Sequence, residues 1–95
     1  MKFYYENYMG NAGYFCERNL IKAIYTAWNI DADLYLIEDN KNNMVFAPNE
    51  DNELNSELLK EYGYYMTDGL EEREIRKIGT DKLVRYDWSE VKQLV

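Results

Sequence analysis

Ten tyrosines and eighteen acidic side chains are the groups from which this 95-residue chain could build a site, and histidine is absent. Without imidazole the chain lacks the side chain most used for proton transfer near neutral pH and for holding transition metals. What remains is phenol beside carboxylate. Tyrosine offers a broad, stiff contact area with a hydrogen-bonding tip, and placed among negative charges it suits recognition of another macromolecule. Tyr4, Tyr5 and Tyr8 cluster near the start, Tyr62, Tyr64 and Tyr65 cluster further on, and Glu50, Asp51 and Glu53 form an acidic group between them. On a strand, neighbours such as Tyr4 and Tyr5, or Tyr64 and Tyr65, point to opposite faces, so some of these rings must reach the surface. The residues expected to meet a partner are therefore Tyr4, Tyr5, Tyr8, Glu50, Asp51, Glu53, Tyr64 and Tyr65.

Catalytic alternatives fail on chemistry. Cys16 stands between Phe15 and Glu17, where a carboxylate opposes thiolate formation and no histidine can act as base, so it reads as a core residue of a helix. Asp39 to Glu50 opens and closes like a calcium loop and has Asn43 at a ligand position. Lys41, however, takes another ligand position, Met44 replaces the turn glycine, and Met44-Val45-Phe46 reads as strand. Adjacent carboxylates such as Glu71 and Glu72, or Glu50 and Asp51, cannot flank one bond from opposite sides. Gly10-Asn11-Ala12-Gly13 lacks the third glycine and the Lys-Ser/Thr pair of a phosphate loop and reads as a turn. No catalytic residue, cofactor or metal ligand set is expected.

Composition bounds the rest. Ninety-five residues with 46% hydrophobic and 31% charged side chains fit one soluble globular domain, and the aromatic content argues against disorder. A formal net charge of -7 disfavours direct binding to nucleic acid or to an anionic membrane, both of which need a basic footprint. No apolar run is long enough to span a bilayer, Met1-Lys2-Phe3 leads into no signal-peptide core, and the lone Cys16 cannot form an intramolecular disulfide; a cytoplasmic location is the expectation. The abundance of Asn, Tyr, Lys and Ile, all from AT-rich codons, suggests a low-GC bacterium or its mobile elements.

The elements that must position these groups follow from periodicity. Met1 to Tyr8 reads as a strand ending in a turn over Met9 to Gly13, and a helix over residues 13 to 28 carries Tyr14, Ile21, Ile24, Tyr25 and Trp28 on one stripe. Asp33 to Glu38 and Asn43 to Ala47 form a hairpin across Asp39 to Asn42, ended by Pro48. A second helix starts among Glu50, Asp51 and Glu53, presents Leu54, Leu58, Leu59 and Tyr62, and stops at Gly63. Tyr64 to Met66 is a strand; Glu74 to Ile78 and Lys82 to Tyr86 form a second hairpin, although Leu70, Glu74 and Ile78 also fit a short helix. Asp87 and Glu90 fit a capping box, opening a terminal helix with Trp88, Val91, Leu94 and Val95 inward. The order gives an α+β domain, an antiparallel sheet covered by two main helices in βαββαβ, ferredoxin-like order. The expected core comprises Ile21, Ile24, Trp28, Leu36, Phe46, Leu58 and Val84.

Function is expected to be protein binding through an acidic, tyrosine-rich surface, with a basic nucleic-acid-binding protein or a second copy of the chain among the candidate partners. One alternative is a nucleic-acid mimic of the anti-restriction or anti-CRISPR kind, against which stands the alternation of Glu with Arg and Lys over residues 71 to 77. The other is an enzyme or small-ligand binder. With no histidine and one cysteine, purified protein should carry no stoichiometric zinc, iron or copper by elemental analysis; one tightly bound ion per chain would overturn that reading.

Overall fold

The computed structural model describes residues 1–48, 53–67 and 74–94. The chain is α+β, with antiparallel strands and, among the described residues, two α-helices. Its elements are β1 (Lys2–Glu6), β2 (Ala12–Cys16), α1 (Leu20–Trp28), β3 (Asp33–Glu38), β4 (Lys41–Ala47), β5 (Glu53–Leu54), α2 (Ser56–Glu61), β6 (Tyr64–Thr67), β7 (Glu74–Lys77), β8 (Leu83–Val84) and a 3-10 turn over Trp88–Glu90. They fall into two compact units, Met1–Leu54 with Tyr86–Val95, and Asn55–Arg85. The observed order differs from βαββαβ in two ways. A second strand precedes the first helix, and the strands form a five-stranded sheet, β2-β1-β3-β4-β5, and a separate three-stranded one, β6-β7-β8.

The first unit is organised by strict alternation. In β1, Phe3 and Tyr5 are buried while Lys2 and Glu6 are exposed, and the same alternation buries Phe15 in β2 and Leu34 and Leu36 in β3. Phe3 and Phe15, directly opposite in register, stack at 5.4 Å. Gly13 lies opposite Tyr5, and a Cβ there would come within 3.1 Å of the phenol oxygen, so glycine serves close approach of a ring in addition to the turn. The β1–β2 turn is held by Asn7, whose side-chain oxygen accepts from the N–H groups of Met9 and Asn11 and whose amide donates to the carbonyl of Ile30. Gly10 supplies the positive φ of +86.

The helix expected over residues 13 to 28 is thus shorter at its start. Tyr14 does fall in phase with Ile21 and Trp28, but residues 12 to 16 are drawn into the sheet by five-residue pairing with β1. The helix begins where Asn19 accepts from the N–H groups of Ile21 and Lys22 at 2.9 and 3.2 Å. Leu20, Ile21, Ala23, Ile24 and Ala27 are its buried stripe, and Thr26, also buried, donates its hydroxyl to the Lys22 carbonyl. Cys16 consequently sits on β2 and is exposed, which corrects its reading as core.

The β3–β4 hairpin turns on Asp39 and Asn40 alone, both with positive φ, and pairs Glu38 with Lys41, so β4 starts earlier than expected. A register shift beside Leu34 and Tyr35 leaves Val45 as an extra residue, which explains why consecutive Val45 and Phe46 are both buried. Ile21, Ile24, Leu36, Phe46 and Leu58 are core residues as expected. Trp28 is half-buried at the helix end, its ring 6.0 Å from Phe46 and edge-on to Trp88 at 5.9 Å; Val84 is half-buried on two-residue β8, which pairs, among the described residues, with β7. The capping box at Asp87 and Glu90 is present, although Trp88 is 45% exposed and Val91 is the residue buried there.

In the second unit, Asn55 caps α2 by accepting from Leu58 N–H at 3.1 Å, Leu58 and Leu59 are buried, and Gly63 ends the helix with φ +89. Glu53 and Leu54 belong to β5, paired with Ala47 and Phe46, not to the start of this helix. Glu74 to Lys77 is strand; the expected helix alternative there reaches residues 70 to 73, outside those described.

Two substitutions separate core from cap. Leu36→Ala should cost about 2–5 kcal/mol as a buried truncation, and Asn19→Ala about 1–2 kcal/mol through the lost cap. Equilibrium urea unfolding measures both, and a Leu36→Ala variant as stable as the parent would contradict the assigned face of β3.

Candidate functional site

The face of the five-stranded sheet opposite the buried residues carries three transverse rows. Register places Tyr14, Tyr4, Tyr35 and Met44 side by side across four strands; Cys16, Lys2, Ile37 and Asn42 form the row on one side, and Ala12, Glu6 and Asp33 the row on the other. The rings form a continuous ladder, with Tyr4 5.1 Å from Tyr14 and 6.1 Å from Tyr35. Tyr14 is 63% and Met44 38% exposed, while Tyr4 and Tyr35 are half-buried between their neighbours. Period-two alternation is the whole cause: with Phe3 and Tyr5 inward, Lys2, Tyr4 and Glu6 must point out.

Charge on this face is sorted along the strands. At one end the Lys2 ammonium lies 4.9 Å over the Tyr14 ring, a cation–π contact. At the other, Glu6 and Asp33 stand opposite each other, and Glu6 accepts the Tyr4 hydroxyl at 3.2 Å. Burial, reinforced by the Glu6 charge, pushes the Asp33 carboxyl above its ordinary value. The Tyr4 and Tyr35 phenols are also raised, first by burial and then by the neighbouring carboxylates, so both remain neutral hydrogen-bond donors in neutral solution. Among the described residues the face therefore presents flat apolar area, phenol donors, one cation and two anions. Among the described residues no group of three or more Cys, Asp or Glu converges to hold a metal ion. No protein-family model, curated protein or solved structure matches the chain.

Of the residues the sequence singled out, Tyr4 lies in the middle of the ladder. Tyr5 points to the opposite side, is buried, and donates its hydroxyl to the Leu94 carbonyl at 3.5 Å. Tyr8 is 86% exposed at the β1–β2 turn. Glu53 is exposed on β5, whereas Glu50 and Asp51 lie outside the described residues. Tyr64 and Tyr65 are half-buried on β6 of the second unit, where Tyr65 donates to Asp81 at 2.6 Å. That bond raises the Tyr65 phenol, while the Arg76 guanidinium, bonded to Glu74 at 2.9 Å, holds the Glu74 carboxyl below its usual range. Thr67 also donates to Glu74 from the neighbouring strand, and Arg85 stands 3.8 Å away, so the Glu74 carboxylate is matched by two guanidinium groups.

Tyr14, Tyr35, Met44, Lys2, Glu6 and Asp33 were not among the residues expected from sequence. The signal that could have found them is alternation in register: Tyr14 falls in helical phase with Ile21 and Trp28, and without β2 there is no ladder.

Because the folded-state pKa of Asp33 is raised above the ordinary carboxyl value of 3.8, its ionised form destabilises the fold above that raised value, and the penalty vanishes as pH falls below the ordinary one. Asp33→Asn should therefore melt higher than the parent near neutral pH, with the two curves converging near pH 3. Thermal melts across that range test it, and a variant less stable at neutral pH would show that Asp33 is held as a favourable anion.

Proposed function

We propose that this is a small acidic, cytoplasmic accessory protein that acts by binding another protein through the outer sheet face built on Tyr14, Tyr4, Tyr35 and Met44. The observation that carries the reading is the ladder itself. Aromatic and methionine side chains side by side, with phenol tips and charges at the border, match the composition of protein interfaces, where Tyr and Met are enriched and charge is kept to the rim. Binding also accords with the chemistry, since among the described residues the face offers phenols, one lysine, two carboxylates and the Cys16 thiol, and the chain has no histidine to act as base. A nucleic-acid mimic would need a contiguous anionic face. Lys2 interrupts this one, and Glu74 is balanced by Arg76 and Arg85 in the second unit. Among the described residues no helix is long and apolar enough to cross a membrane.

The kinetic signature follows from the geometry. Tyr14→Ser should raise the dissociation rate of a captured partner by about tenfold or more with little change in association, as loss of a buried aromatic contact does. Charge reversal at Glu50, Asp51 and Glu53 should lower the association rate of a basic partner and flatten its salt dependence. Tyr8→Ser, outside the ladder, is the control. Surface plasmon resonance at several salt concentrations measures all three, and a partner held equally well by Tyr14→Ser and the parent would remove the ladder from the interface.

A further inference from the structure

We propose that the partner seated on this face is a second copy of the same chain, packed sheet to sheet across a two-fold axis that runs along the row of Tyr14, Tyr4, Tyr35 and Met44. The inference rests on the binding-face reading above and names the partner. Two copies facing each other through one surface must be related by an axis lying in the plane of contact, because an axis normal to it would leave both surfaces pointing the same way. Two such axes lay the ladder on itself. An axis along the strands, midway between β1 and β3, would set Lys2 against Ile37 and Glu6 against Asp33, anion on anion. An axis along the ladder reverses strand direction, so Lys2 of one copy faces Glu6 of the other, with Asp33 beside that contact and opposite Ile37, and the reciprocal contact forms at the opposite end.

The spacing makes this match automatic. Lys2 and Glu6 lie two residues to either side of Tyr4 on one strand, equidistant from the axis and pointing out of the same face. Among the described residues no salt bridge engages Lys2, Glu6 or Asp33 within the chain; Lys2 lies over the Tyr14 ring and Glu6 accepts from Tyr4, contacts that leave each formal charge uncompensated. Ala12 and Cys16, which the same axis brings together on β2, are small, allowing the rings of the central row to meet. Aligned sheets also pack face to face at about 10 Å, a separation that such side chains fill.

Magnitude decides what kind of dimer this is. Four strands about 4.8 Å apart and five residues at about 3.4 Å make a face of roughly 19 by 17 Å, below the standard size of a permanent interface. The net charge of -7 on each copy adds repulsion, which is screened beyond about 8 Å at physiological ionic strength. The association is thus weak and reversible, to be sought over a wide range of protein concentration at physiological salt.

Sedimentation velocity and light scattering on the full chain, from micromolar to several hundred micromolar, test it with Lys2→Glu, Glu6→Lys and the double variant, each checked for parental folding by circular dichroism. The expected result is a concentration-dependent dimer weakened about tenfold by either single reversal and restored by the double. Glu6→Lys is the sharpest arm, because it lowers the net negative charge: a dimer limited only by overall repulsion would tighten, whereas the paired arrangement loosens. A monomer at every concentration, a dimer indifferent to both reversals, or one that the double variant fails to restore overturns the pairing. The binding-face reading is scored apart from this. A monomer that captures another protein and loses it on Tyr14→Ser keeps the face and removes only the second copy, whereas a monomer whose capture ignores Tyr14→Ser overturns both.

Discussion

Everything in the five-stranded sheet depends on β1 being hydrogen-bonded along both edges, to β2 and to β3, in one register. A slip of one residue on either side would turn Phe3 and Tyr5 to the outside and drive Lys2, Tyr4 and Glu6 into the buried layer, a change no compensation elsewhere could absorb. The same register makes the ladder. Tyr4 meets Tyr14 and Tyr35 because Phe3 meets Phe15 and Leu36; the apolar pairs on one face and the phenols on the other are two readings of a single alignment. Core stability and site geometry are thus one constraint, and a mutation that loosened the buried side would disperse the outer row with it.

Short polar side chains fix the places where alternation ends. Asn7 holds the β1–β2 turn and reaches Ile30, ahead of β3, tying both neighbours of β1 to one amide. Asn19 does the same for the first helix, capping it while its amide donates to the Tyr86 hydroxyl at 2.7 Å. The terminal segment then returns to the sheet, with Lys92 donating to the Cys16 carbonyl at 2.6 Å and Leu94 accepting from Tyr5. These contacts join residues far apart in sequence, and they keep β2, the outer strand of the ladder, in place from both ends.

What was legible in the sequence was local. Asp39 and Asn40 announced their turn, Gly63 its helix stop, and Asp87 with Glu90 their capping box, because each signal is carried by the residues that make the structure. The first helix was read too long because Tyr14, Ile21 and Trp28 share a helical phase by coincidence, and only pairing with a distant strand shows that Tyr14 belongs to period two. The bulge at Val45 and the split into two sheets are likewise hidden, since both are settled by which strand lies alongside. Tyrosines and acids were the right residue types to watch. Their grouping by sequence proximity was not the grouping in space, for Tyr4 and Tyr5 are neighbours in the chain and on opposite sides of the sheet, while Tyr4 and Tyr35 are distant in the chain and in contact.

The ladder could serve the sheet alone, since cross-strand aromatic pairs stabilise an antiparallel pairing by about 0.2–1 kcal/mol each. That contribution explains Tyr4, wedged between two rings, better than it explains the outermost members, for Tyr14 leaves most of its surface in water. The two roles reinforce each other. Rings already held by their neighbours have lost their rotamer freedom on folding, so a surface built from them meets a partner with little further ordering cost, and most of the apolar area it covers goes into affinity. A phenol tip adds what a phenylalanine could not, a polar group that hydrogen-bonds at the ring's edge, as Tyr4 does to Glu6. The folding of β1 between β2 and β3 therefore prepares the recognition surface in the same step that closes the core.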